Sequence, residues 1–168
     1  LVGSEMCIRD SVDSAHQMGL SVYMDLVHSH AVKNTEEGIN QFDGTQEQFF
    51  LPGGAGYHTA WDSMCFDYGK PAVMHFLLSN LKYWLEEFHL DGFRFDGITS
   101  MLFNDHGLGT NFDSYAKYFS MNTNIDAVSY LTLATSLVHE LKPEAVLIAE
   151  DMSGMPGLCL PPEECGIG

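Results

Sequence analysis

Basic residues are scarce in this sequence. Seven Lys and Arg stand against 23 Asp and Glu in 168 residues, a formal net charge of −16. A surface of that sign repels phosphate backbones, so nucleic acid is not an expected partner. A neutral substrate such as a sugar is compatible with it. Cysteine is sparse as well: Cys7, Cys65, Cys159 and Cys165 form no C-x-x-C pair and no dense framework. Free thiols in a reducing compartment are therefore expected. No apolar run approaches about 18 residues, so no membrane span is expected, and no signal peptide is visible. No G-x-G-x-x-G or G-x-x-x-x-G-K cradle is present, which argues against a nucleotide cofactor. His28 and His30 are spaced like a ligand pair, but no third ligand is evident, so no metal is expected.

What is present reads as a packed protein, with 45% hydrophobic and 12% aromatic residues. Residues 1–11, "LVGSEMCIRDS", have no clear periodicity and resemble a translated sequencing adaptor. They are set aside as a non-native segment. From Val12 the pattern is regular. "VDSAHQMG" reads as the end of a helix capped by Gly19. Residues 20–27 read as a strand, and 31–70 as a long loop. Pro71 opens a helix with an apolar stripe at Val73, Phe76, Leu77, Leu81, Trp84 and Phe88. Residues 92–97 read as a strand and 99–124 as a second long loop. In that loop Tyr115, Tyr118 and Phe119 read as core residues rather than ligand contacts. A helix over 126–142 and a strand over 145–151 follow. Alternation of this kind implies parallel strands with helical crossovers. The strands are apolar throughout, as expected where helices cover a sheet. A doubly wound sheet and a (β/α)8 barrel both fit.

Each strand ends in ionisable groups: Asp25, then His28 and His30; Arg94 and Asp96; Glu150 and Asp151. Active sites of parallel α/β folds lie at that end of the strands. Singly, each has a structural reading: a satisfied carboxylate, an ion pair, a solvated strand end. Together, on one rim, they read as a site. Side chains alternate along a strand, so Arg94 and Asp96 share a face. Retaining glycoside chemistry needs two carboxylates about 5–5.5 Å apart, one attacking the sugar carbon and one delivering a proton. Asp96 and Glu150 fit those roles, and Arg94 would keep Asp96 charged and aimed.

"DLVHSH", "GFRFDGITS" and "AEDMSGMP" resemble, in order, three regions of the α-amylase family of glycoside hydrolases. "FDGTQEQFF", "WDSMCFDYG" and "FLLSNLKYWLEEFHLDGFRFDGITSML" are similar to its branching-enzyme subfamily, of the eukaryotic type that works on glycogen and starch. The resemblance covers about Val12 to Gly168. It implies an α/β fold: a partial (β/α)8 TIM barrel, about strands 3 to 5 of the catalytic barrel. It implies Asp96 as nucleophile, Glu150 as general acid/base, Arg94 as the nucleophile's support, and Asp25 and His30 as sugar-binding residues. Ser100 stands where many amylases carry a histidine, which fits branching enzymes better. Tyr57, His58 and Trp61 are candidate glucan contacts from the first long loop. Ala72, Val73, Met74 and His75 edge the same rim at the start of the Pro71 helix. The implied partner is an α-glucan such as glycogen, amylose or amylopectin. The implied compartment is the cytoplasm, with a plastid as the alternative.

The family's fourth region, with a third carboxylate, is not in this sequence. Three barrel strands of eight are recognisable, whereas a complete barrel takes about 250 residues. Residues 12–168 are thus expected to be an internal fragment, inactive alone, of a longer glucan-transferring enzyme. An amylase or debranching enzyme of the same family is one alternative. A non-catalytic barrel-like binding protein is the other.

Overall fold

A computed structural model describes residues 2–168, with side chains described from Glu5 onward. Helix α1 (Val2–Gln17) leads into strand β1 (Tyr23–Leu26). Gly19, with φ of 74°, makes the turn between them. Strand β2 (His30–Val32), β3 (Tyr57–His58) and β4 (Ser63–Cys65) follow, then helix α2 (Pro71–Phe88). Strand β5 (Gly92–Phe95) runs into the short helix α3 (Ile98–Leu102). A second short helix, α4 (Tyr115–Tyr118), precedes α5 (Ile125–Leu141), and strand β6 (Val146–Ala149) comes last.

The main sheet has the order β1-β5-β6, with both pairings parallel. Asp25 pairs with Arg94 and Arg94 with Ile148, so the three strands are in step. Burial within the sheet alternates, contrary to the uniform burial expected from composition. Leu26, Phe93 and Phe95 point to the helix side and are buried. Tyr23, Val146 and Ile148 lie on the other face and stay more than 40% exposed. Helices α2 and α5 pack together over one face only. Among the described residues, the helices thus lie on one face of the sheet.

Helix α2 begins at Pro71, where a missing N–H costs nothing. It ends at His89, which takes a left-handed conformation. Its buried stripe is Val73, Leu77, Leu81, Leu85 and Phe88; Phe76 is 41% exposed and outside it. Helix α5 is capped by Asn124, whose side chain accepts from the Ala127 amide at 3.1 Å.

Both long loops hold structure that periodicity did not reveal. Strands β2, β4 and β3 form a small antiparallel sheet inside 31–70. Within 99–124 the expected burial of Tyr115 and Phe119 is overturned: they are 72% and 64% exposed. Tyr118 alone packs inward, its ring stacked on Phe112 at 5.2 Å.

Opposite the strand ends, Asp91 ties the sheet to its helices. It accepts from Lys142 Nζ at 2.8 Å, His16 Nε2 at 2.8 Å and the Val22 amide at 2.7 Å. Partial burial alone would raise its pKa. These donors outweigh that and pull it down to about 2.

Candidate active site

The rim is built from the ends of β1, β5 and β6. The parallel ladder continues past the strands: Asp96 N donates to the Leu26 carbonyl and Glu150 N to the Phe95 carbonyl. Arg94 Nη1 lies 3.3 Å from Asp25 Oδ1 and 3.4 Å from Asp96 Oδ1. One guanidinium therefore bridges two carboxylates from neighbouring strands. Its pKa is raised: the desolvation that would lower it is outweighed by Asp25, Asp96 and Glu150.

Gly97 joins the two candidate catalytic carboxylates. It follows Asp96 directly, and its amide donates to Glu150 Oε2 at 2.8 Å. Its φ is 68°, and a Cβ there would lie 2.8 Å from Ser29 Oγ and 3.0 Å from the Trp61 ring. Only glycine fits both the conformation and the space. The next residue but one, Thr99, donates to Asp151 Oδ1 at 2.6 Å. Asp151 also accepts from the Gly154 amide at 2.8 Å and from Ser153 Oγ. It organises the turn after β6, next to Glu150.

His30 and His28, two residues apart, part company. His30 stays at the rim. Its pKa is lowered by burial, and nearby Asp96 works against that shift. His28 enters the core, 2.5 Å from the Tyr130 hydroxyl and 3.1 Å from Asn80 Oδ1. An amide oxygen only accepts, so Nε2 carries the proton and Nδ1 accepts from Tyr130. Burial lowers the His28 pKa to about 4 and keeps it neutral.

Trp61 is held in a stack of rings. Its indole lies 4.7 Å from the His30 ring and 4.0 Å from His58, parallel within 7°. His58 is fully buried behind it, accepts from the Trp61 amide, and has its pKa lowered to about 4 by burial and by His106 and His30. His106 packs on His58 at 4.9 Å and donates from Nδ1 to the Ser100 carbonyl. Trp61, Thr99, Ser100, His106 and Met152 surround a cleft of about 330 Å³ that contains Glu150.

The remaining candidates lie elsewhere. Tyr57 donates to Asp62, which also pairs with Lys33 at 2.6 Å, in an exposed cluster. Val73 is buried in the core and Met74 packs against it; Ala72 and His75 are exposed on α2. Gly97, Ser29, Thr99 and His106 escaped the reading of the sequence. The one signal for the first and third was their place inside "FDGITS".

No protein-family profile matches the chain. It is 50% identical over 162 residues to 1,4-alpha-glucan-branching enzyme 2-2, chloroplastic/amyloplastic, of Arabidopsis thaliana, covering 96% of this chain and 20% of that protein. It is 51% identical over 162 residues to the 1,4-alpha-glucan-branching enzyme of Equus caballus, covering 96% and 23%. Over nearly its whole length the chain is similar to part of these 1,4-alpha-glucan-branching enzymes. A third relative, from Solanum tuberosum, is 54% identical over 161 residues, covering 94% of this chain and 19% of the enzyme. The chain thus spans 19% to 23% of these three branching enzymes. Among solved structures it superposes on an α-amylase from Geobacillus thermoleovorans complexed with acarbose. There the TM-score is 0.58 and the identity 17%, with 87% of this chain and 29% of that one covered. A maltogenic α-amylase, AmyB, from Thermotoga neapolitana gives 0.56 at 19% identity, covering 84% and 27%. These two carry the fold: an α/β arrangement of α-amylase type.

Proposed function

We propose that residues 12–168 form about strands 3 to 5 of the catalytic barrel of a longer 1,4-α-glucan branching enzyme. Strands β1, β5 and β6 would be those strands. Residues 1–11 are a non-native segment in this reading; Glu5 to Ser11 are all exposed, although they continue helix α1 and Arg9 pairs with Glu87 at 3.2 Å. The observation that carries the functional reading is Arg94 bridging Asp25 and Asp96 beside the Gly97–Glu150 hydrogen bond.

In that site the Asp96 carboxylate attacks the anomeric carbon of an α-1,4 linkage. The C1–O4 bond breaks as Glu150 gives its proton to the leaving oxygen, and a covalent glucosyl-Asp96 ester forms. A 6-hydroxyl of another glucan then attacks the same carbon. Its proton passes to Glu150, the ester bond breaks, and an α-1,6 branch results with retained configuration. Arg94, 3.4 Å from Asp96 Oδ1, orients that carboxylate. His30 and Asp25 face the sugar, and Trp61 offers it a flat surface beside Glu150. The partner is an α-glucan, and no cofactor takes part. The cytoplasm is the proposed compartment, with a plastid as the alternative; four free thiols accord with either.

The test is Asp96→Asn in the full-length enzyme. New α-1,6 linkages should disappear, with a loss of at least about 10³-fold. Retained turnover would sink Asp96 as the nucleophile. Release of reducing ends without new α-1,6 linkages by the unaltered enzyme would move the reading to a hydrolase.

A further inference from the structure

Two openings on the strand-end rim share a wall. One is the cleft that holds Glu150. The other is a groove of about 280 Å³ between residues 112–118 and the turn after β6. It is lined by Phe112, Asp113, Ser114, Tyr115, Tyr118 and Pro156. Phe112 lines both openings. Met152 of the cleft and Pro156 of the groove belong to one turn, the one organised by Asp151.

The groove is built rather than incidental. Tyr118 stitches its two sides, its hydroxyl 2.7 Å from the Ser153 carbonyl and 3.2 Å from the Phe112 carbonyl. The Phe112 ring is fixed from below by Phe103 at 4.4 Å and by Tyr118. On this floor Tyr115 is 72% exposed. Asp113, the one charged lining residue, is paired with Lys117 at 2.9 Å. The groove therefore offers apolar surface, hydroxyls and a neutralised carboxylate. An anion is disfavoured by the chain's net charge of −16. A neutral polyol with an apolar face and many hydroxyls fits each of these features.

We propose that this groove is a glucan-binding subsite continuous with the Glu150 cleft, with Tyr115 as its stacking platform. The inference rests on the glucan reading above. A linear glucan leaving the cleft past Phe112 and Met152 would pass over Tyr115. The groove thus favours long chains over short ones without touching the reacting bond. Tyr115 is a binding residue here, and its loss should appear in KM rather than kcat.

The experiment uses the full-length enzyme, with amylose as substrate for kinetics. Maltoheptaose serves as the binding probe on the turnover-blocked Asp96→Asn form. Tyr115→Ala should raise KM for amylose and weaken maltoheptaose binding by about fivefold to tenfold, the loss of one ring contact. Its kcat should stay within about twofold. Tyr115→Phe, which keeps the ring, should stay near the unaltered values. Phe119→Ala removes an equally exposed aromatic that does not line the groove, and should change neither constant. If Tyr115→Ala leaves KM and binding unchanged while α-1,6 linkages still form, the groove is no subsite and the branching reading stands. If the unaltered enzyme neither binds maltoheptaose nor forms α-1,6 linkages, both fail together.

Discussion

His28 shows how one residue's surroundings set a property of the whole enzyme. Its ring faces the Tyr130 hydroxyl and the Asn80 amide, neither of them charged, and burial lowers its pKa to about 4. An unfolded chain takes up the proton below its ordinary value of about 6.5, whereas the folded chain resists until about 4. Stability from this residue is full above about 6.5 and is lost as pH falls through that window. The complete loss is on the order of 3 kcal/mol. Thermal midpoints of the full-length enzyme should fall between pH 7 and 4.5. His28→Gln, which cannot titrate there, should flatten the slope; an unchanged slope would clear His28 of the effect. This position was not legible in the sequence. The two-residue spacing of His28 and His30 suggested a shared direction, but the chain leaves the strand at Leu26 and turns between them. The candidate catalytic residues were legible, because Arg94 and Asp96 on one face of an apolar strand pose a charge problem that only a partner solves. Trp61 was visible as a candidate. The buried histidines that hold it were not, since a ring stack joins residues from separate loops.

Among the elements, the pairing of β5 with β6 is the most constrained. Gly92 has φ of 152°, and a Cβ on it would lie 1.9 Å from the Val146 carbonyl oxygen. Gly92→Ala must push β6 away or twist β5, at a cost of about 3 kcal/mol or more. Faster proteolysis of the full-length enzyme and a lower thermal midpoint are the expected signs. An unshifted midpoint would mean that the strands part without strain. The long helices were readable because their starts carry chemistry: Pro71 for α2 and Asp126 for α5; the Asn124 cap emerged only in the structure. The parallel sense of the three main strands followed from crossover logic. Strands β2, β3 and β4 were not readable, because elements of two or three residues are too short to show a period. Helices α3 and α4 escaped for the same reason.

At the scale of the whole molecule, one sheet face carries helices and, among the described residues, the other is exposed. Tyr23, Val146 and Ile148 stand exposed there beside Asp25 and Arg94, and β1 and β6 each leave an unpaired edge. The isolated 168-residue chain should therefore be catalytically silent and should show no cooperative unfolding transition. Calorimetry on the purified chain checks this; a sharp transition would mean that the three strands suffice as a unit. The in-step register also sorts the chain by its tolerance of insertions and deletions. The exposed stretch 41–48 can gain or lose residues at the modest cost of loop closure. A single codon lost within Gly92–Phe95 would turn every later side chain of that strand to the opposite face. Asp96 would then face the helices and Phe95 the cleft. The reading frame can drift in length between these strands but has no slack inside them.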